Sequence, residues 1–284
     1  MSKCKGFLPA IAIALLLSPS PTTSADPESS RPSRLLEDRF NLSVGWYTPG
    51  FSTDAAIGVA GIVGTLIRLE DDVGLDEEKS SGRLDGFYRF NEKHAIDFSY
   101  LVLDRNGGSI LDKRIEFNGV IFNVGARTRS TFDSELLRIS YRYSFFRNDK
   151  IDTGVTAGLS TYSWDFSIEG DATVDDGMGG TMVQFAKANK HLVTPIPTVG
   201  IFLSHALRHN VIFRFIGQFL DVRIGDIEGR LTDAKGTVDW FFSKHVGVGV
   251  GLATTGISVR QTGTDPFRVD YRYGGAMVYF GFAF

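Results

Sequence analysis

The sequence predicts an all-β chain that folds as a transmembrane antiparallel up-and-down β-barrel of about ten strands, with eight and twelve as the alternative counts. Three observations predict it. Apolar and polar residues alternate with a period of two through segment after segment. The connections between those segments alternate short and long. Where the segments alternate, the oily face is nearly free of charge and the other face gathers the charges, the reverse of a barrel built for water.

Bulk composition is compatible with this reading. The 284 residues are 43% hydrophobic and 22% charged, with 32 Gly and 23 Phe against one Cys and nine Pro; glycine and aromatic enrichment suits a large sheet with tight corners. Phe7 to Leu17 is the longest apolar run, too short for a membrane-spanning helix, which needs about 20 residues. Lys3 and Lys5 precede it, Pro19 and Pro21 follow, and Thr23-Ser24-Ala25 supplies small residues before Asp26, so residues 1–25 read as a secretion signal. Cys4 falls within that signal, which leaves a mature chain without disulfide or thiol chemistry. Loss of Lys3 and Lys5 moves the net charge from −3 to about −5, and nucleic acid is not expected as a partner.

Residues 26–38 are polar and irregular and read as a periplasmic arm; residues 39–284 form the barrel. Phe40, Leu42, Val44 and Trp46 alternate with Asn41, Ser43, Gly45 and Tyr47, and Pro49-Gly50 kinks this first strand. Residues 51–82 read as a long loop with some extended structure, ending in acidic Asp76-Glu77-Glu78. Leu84 to Phe90 and Ile96 to Val102 make a hairpin around Asn91-Glu92-Lys93. Residues 104–130 read as a loop. Leu137, Ile139, Tyr141, Tyr143 and Phe145 alternate with polar residues up to the turn Arg147-Asn148-Asp149-Lys150. The next strand, Ile151 to about Ile168, changes phase near Tyr162-Ser163, which predicts a bulge. Gly170 to Asn189 reads as a Gly-rich loop.

Strands then follow over Val193–Leu203, Val211–Phe219, Asp233–Phe242, Val246–Leu252 and the closing stretch to Phe284. Short turns near 92, 148, 207 and 244 are separated by long connections near 75, 117, 180 and 263, with a compact exception near Ile224-Gly225. Taking 39–60 as one kinked strand gives the even count of ten. The charged face collects Asp85, Arg89, Asp97, Arg138, Arg142, Arg214, Asp233, Lys235 and Asp239, the candidate lumen lining. A phase shift at Gly274-Gly275 would add Arg268, Asp270 and Arg272 to it.

The last stretch carries a further signal. Val278, Phe280, Phe282 and Phe284 alternate with Tyr279, Gly281 and Ala283, and this resembles the carboxy-terminal signal by which the barrel-assembly machinery recognises outer-membrane barrels; Phe280, Phe282 and Phe284 would carry it. Together with Leu69-Glu70-Asp71-Asp72-Val73-Gly74-Leu75 and Tyr88-Arg89-Phe90-Asn91 with His94, the chain resembles proteobacterial outer-membrane β-barrel proteins of the small outer-membrane protein A and W type. The resemblance implies the fold, a place in the Gram-negative outer membrane, and outer-membrane lipid and lipopolysaccharide as surroundings. It carries no catalytic residue across.

Several candidates for chemistry remain. Glu70, Asp71, Asp72, Asp76, Glu77 and Glu78 offer hard oxygen ligands, but without EF-hand spacing they read as a solvated loop, and neither metal nor cofactor is expected. Asp71 and Asp72 with His191 are the candidates for a surface hydrolase of the omptin kind, which also uses ten strands; the chain lacks a matching His-acid motif after His191. His94, His205, His209 and His245 fall at the short turns. Pro195 and Pro197, two apart and both without an amide hydrogen, would open a seam toward one neighbouring strand. Gly247, Gly249 and Gly251 form a bare stripe that either leaves a channel or makes room for arginines. The expected function is therefore a non-enzymatic barrel, structural or a narrow pore for small solutes; the alternatives are a lateral carrier of lipid or apolar ligand at Pro195-Pro197 and the surface hydrolase.

Overall fold

A computed structural model describes residues 36–175 and 181–284. The proposed signal, most of the arm and the tip of one loop lie outside the described residues. In chain order the elements are β1 (Phe40–Ile57), β2 (Ile67–Arg68), α1 (Leu69–Val73), β3 (Ser81–Arg89), β4 (His94–Ile110), β5 (Ile115–Phe117), β6 (Val120–Phe122), β7 (Arg127–Arg147), β8 (Ile151–Asp175), β9 (Thr181–Arg208), β10 (Val211–Ile224), β11 (Ile227–Phe241), β12 (Val246–Gln261) and β13 (Phe267–Ala283). Ten of these strands form an antiparallel ring, β8-β7-β4-β3-β1-β13-β12-β11-β10-β9, closed by pairing of β9 with β8. β2, β5 and β6 stand outside the ring, so the two-residue strand at 67–68 does not disturb the even count.

The start of β1 and the carboxy terminus meet at the end that carries the short turns. The Phe284 carbonyl accepts from the amides of Arg39 and Phe40 at 2.7 and 2.9 Å, and β1 pairs with β13 along its whole length. Local chemistry makes the turns tight. Asn91 Oδ1 accepts from the Lys93 and His94 amides, and Asn148 Oδ1 from those of Lys150 and Ile151; Ser243 Oγ does the same for His245 and Val246. Side-chain acceptors of this kind reproduce a turn's hydrogen bonds without further chain.

The wall has two storeys. Toward the turn end, large apolar side chains face outward, among them Trp46, Ile139, Ile201, Trp240 and Phe280, all exposed. The inward neighbours there are Asn41, Asp97, Arg138, Arg142 and Asp239, all buried or nearly so. Toward the loop end the pattern reverses. Tyr162, Trp164, Phe166 and Ile168 of β8 point inward and are buried, as do Val269, Tyr271 and Tyr273 of β13, while Asp165, Arg268 and Arg272 are outside. A lipid-facing wall must be oily outside and tolerates charge within; once the strands rise above the lipid, water favours the opposite arrangement.

This reversal corrects two expectations. β8 keeps its register with β7 and β9 through Tyr162 and Ser163, without a bulge. β13 likewise runs through Gly274 and Gly275 in unbroken register with both neighbours. Arg268, Asp270 and Arg272 therefore lie on the same outward face as Val278 and Phe280 rather than in the lumen. The apolar residues change parity because the medium outside the wall changes, not because the strand slips. The β7–β8 register shift falls instead between Ser144 and Phe146.

Two predicted loops are largely sheet. β4 and β7 pair from His94–Tyr143 up to Ile110–Arg127, and β8 and β9 pair as far as Asp175–Thr181. Between β4 and β7, β5 and β6 form a hairpin whose turn residues Asn118 and Gly119 have φ of 48° and 81°, the left-handed pair that a two-residue turn demands. Ile115, Phe117 and Phe122 of this hairpin are buried in the same cluster as Phe132 and Phe166. Residues 69–75 fold inward beside them, burying Leu69, Val73 and Leu75, with Gly74 at φ 67° ending α1.

Candidate functional site: lumen, seam and outer wall

The nine charged residues expected in the lumen all lie on the inward face of the lower storey, where they are paired with one another or with two residues the expectation missed. Arg138 donates to Asp233 at 2.7 Å and to Ser160 at 2.9 Å. Arg142 grips both oxygens of Asp97 at 3.0 and 2.8 Å. Arg214 bonds Asp239, which also accepts from Tyr279 Oη at 2.8 Å. Lys235 reaches across the barrel to Asp85 at 2.7 Å, and Arg83 holds the same carboxylate at 2.8 Å. Arg89 pairs with Asp152.

Arg83 and Asp152 were the missed residues. Arg83 shares the parity of Asp85 and Arg89 but lies one residue before the strand was expected to start. Asp152 sits one residue inside a strand whose inward face otherwise reads Gly, Thr, Gly. Desolvating so many charges is costly, and it is tolerable here because each contacts a group of opposite charge, with Asp85 shared between Arg83 and Lys235.

Apolar clusters close this polar layer at both ends. Toward the turn end, Leu36 packs with Ala206, Ile212, Phe241 and Ala283, and Arg147 bonds the Leu36 carbonyl. The last described residues of the arm therefore form a seal. Toward the loop end lies the main core. Phe132 stacks on Phe166 at 4.5 Å and meets Tyr271 edge-on at 5.1 Å. Within it, Arg105 is fully buried, its guanidinium 4.2 Å from the Phe51 ring and 4.9 Å from Phe132. It donates to Glu70 at 2.6 Å and to Thr53 at 2.8 Å. Glu70 also accepts from the Thr53 amide at 2.9 Å, so residues 69–76 are latched into the mouth.

Only part of the acidic loop is solvated: Asp71, Glu77 and Glu78 are exposed, whereas Glu70 and Asp72 are drawn into ion pairs. Glu70 belongs to Arg105, and Asp72 to Lys113 and the Arg68 amide. Burial pushes the Asp72 carboxyl up, but the Lys113 ammonium and the Arg68 amide together hold it below the usual carboxylate range.

Between the seals lies a cavity of about 90 Å³ lined by Asp85, Asp97, Ser99, Arg138, Arg214 and Lys235 among others. The glycine stripe faces inward but leaves no channel. A Cβ on Gly249 would stand 2.3 Å from the Tyr279 ring, so the bare position seats a tyrosine rather than an arginine.

Pro195 and Pro197 are exposed on β9. β9 pairs with β8 straight through them, opposite Thr161 and Leu159. Lacking amide hydrogens, they occupy positions whose amides would point away from β8. That is the β10 side, where pairing ends at Val199–Phe219, just below both prolines. The seam is therefore a notch in the upper wall rather than a pair of gaps between paired strands, and proline suits such a free edge. Behind it Leu192 and Ile196 are buried in the core. At its foot an outer-wall groove of about 360 Å³ is lined by Ile201, Phe215, Gly217, Phe219, Ala234 and Thr254 among others.

The hydrolase candidates are not brought together. His191 Nδ1 pairs at 2.7 Å with Asp165 on the outer wall, while Asp71 and Asp72 engage Arg68 and Lys113. Asp104, Asp133, Asp165 and His191 stand opposite one another across four strands. Burial, then the neighbouring Asp104 and Asp165, push the Asp133 carboxyl up. Among the described residues no three acidic, His or Cys side chains form a group that could hold a metal. Of the turn histidines, His245 donates from Nδ1 to the Ala283 carbonyl at 2.7 Å and stacks on Phe284. Phe280, Phe282 and Phe284 lie on the outward face of the closing segment.

No protein-family model and no curated protein sequence matches the chain. Among solved structures it is similar to the outer membrane protease OmpT from Escherichia coli, with a TM-score of 0.56 and 11% identity over 86% of this chain and 96% of that one. Weaker likenesses are to the outer membrane protein OprG from Pseudomonas aeruginosa (TM-score 0.34, 12% identity, 86% and 95% covered) and to a Pseudomonas aeruginosa FadL homologue (0.38, 10%, 89% and 92%). At these identities the likeness concerns the fold, which is that of a Gram-negative outer-membrane β-barrel protein.

Proposed function

We propose that the mature chain is a closed, non-conducting barrel of the outer membrane, structural rather than catalytic in role. The observation that carries this reading is the filling of the lumen: a paired polar layer held between an apolar seal at Leu36, Ala206, Ile212, Phe241 and Ala283 and the aromatic core around Trp164 and Tyr271. The turns, the start of β1 and the carboxy terminus then face the periplasm, and the longest strands, β7, β8 and β9, rise furthest above the lipid. A pore would need a continuous polar path, and the upper core interrupts it. The test is a planar bilayer containing the refolded chain, 39–284 with its arm. Silence at the level of bare lipid is expected; discrete current steps whose ion selectivity changes in Arg138→Glu would replace this reading with a pore.

A second reading has one observation in its favour. The groove at the foot of the notch is apolar, faces the lipid, and is deepened by Gly217 and Ala234, which suits a single acyl chain held against the outer wall. A spin-labelled fatty acid should then show an immobilised component that Gly217→Leu removes. An equally mobile label in both proteins would reject it. Since the prolines face a free edge, replacing them would not close the notch.

A further inference from the structure

We infer that the lumen cavity is a binding site for one small monovalent inorganic anion of halide size. The cavity is bordered by three buried side chains with hydrogen-bonding atoms left over. Asn41 Nδ2, Ser99 Oγ and Arg138 Nη2 have no partner, and each of these residues is 5% exposed. Two of the three can only donate, and the third can. Ser99 and Arg138 stand directly opposite each other across β4 and β7, and Asp85 stands opposite Ser99 on β3. The leftover donors therefore border the cavity on adjoining strands.

Charge points the same way. Around the cavity Arg138, Arg142 and Arg214 each have a carboxylate of their own, Asp233, Asp97 and Asp239. Asp85 serves both Lys235 and Arg83. Among the described residues this network thus holds one more cation than carboxylates. A further carboxyl, Asp38, lies outside this network at the turn end, where burial pushes it up in spite of Arg214. Water would satisfy the leftover donors but not the surplus charge; an anion does both, and a surplus charge among buried side chains is the costlier defect. About 90 Å³ admits a halide with a few waters, whereas a larger oxyanion would have to displace paired side chains.

The inference rests on the lining of the cavity and not on whether the lumen conducts. The protein is refolded and crystallised in sodium bromide, and its thermal unfolding is followed in bromide, chloride and gluconate at equal ionic strength. The expected results are anomalous bromine density within hydrogen-bonding distance of Arg138 Nη2 and a saturable rise in Tm that gluconate does not give. Ser99→Ala should raise the halide concentration at half-effect by about tenfold, the loss of one hydrogen bond to a charged group. Arg138→Gln should abolish the rise, and if that variant fails to fold, Ser99→Ala and Asn41→Ala carry the test. Water alone in the cavity, or equal Tm in all three salts, overturns the proposal. Bromine density in a barrel that conducts would leave it standing and sink the closed-barrel reading.

Discussion

Replacing Arg105 with methionine severs the latch between the acidic loop and the barrel. The side chain is fully buried and has three oxygen partners, Glu70 Oε1, Thr53 Oγ1 and the Asp76 carbonyl. Removing one member of such a pair typically costs about 3–5 kcal/mol, because the other is left charged and buried. Glu70 retains the Thr53 amide and is 11% exposed, so water can reach it and the lower figure, about 3 kcal/mol, applies. At 1.4 kcal/mol per decade the population with residues 69–79 released should rise roughly 100-fold. Limited trypsin digestion reads this directly, since Lys79 lies in the released segment and cleavage follows the open population when reclosing is fast. Arg105→Met should be cut there about two decades faster, and adding Glu70→Gln should recover much of the protection. Cleavage of Arg105→Met at the wild-type rate would refute the latch.

Other consequences follow from the same contacts. Asp133 stands between Asp104 and Asp165, and its folded carboxyl is raised; the cost of its charge is therefore absent below the ordinary carboxylate value, about 3.9, and grows as pH rises through the folded value. Asp133→Asn should gain roughly 0.2–1 kcal/mol in urea unfolding at pH 7 and nothing at pH 3; an equal gain at both would contradict the sign. Gly249→Ala should drive Tyr279 from its seat and from Asp239, costing about 1–3 kcal/mol, and an unchanged urea midpoint would show the seat to be loose. Asp233→Ala should cost about 3–5 kcal/mol by stranding Arg138, with Asp233→Ala combined with Arg138→Met recovering most of it; additive losses would deny the pairing.

The lower storey was legible because two rules coincide there. Lipid demands apolar residues at every second position, and the charges set between them have only the lumen to occupy, so Asp85, Arg138 and Lys235 could be placed from parity alone. The upper storey was harder to read because the same alternation persists with its meaning reversed. Tyr162-Trp164-Phe166 on β8 and Tyr271-Tyr273 on β13 looked like strands that had slipped by one residue, when the wall had passed from lipid into water. Asn118-Gly119, flanked by Phe117 and Val120, is a strong hairpin signal, but it sat in a stretch whose alternation was too short to mark strands. Partners such as Arg105 for Glu70 and Leu36 for the turn-end seal depend on contacts across 35 residues or more, and no local pattern contains them.

The reversal of the wall is the claim on which the rest depends, and β13 tests it with two adjacent residues. The one cysteine, Cys4, lies in the proposed signal, so Tyr271→Cys and Arg272→Cys can be made singly and exposed on intact cells to a maleimide that does not cross membranes. Arg272→Cys is expected to be labelled and Tyr271→Cys to be protected. Labelling of Tyr271→Cys with protection of Arg272→Cys would mean that the strand shifts phase at Gly274-Gly275, and would contradict the reversal.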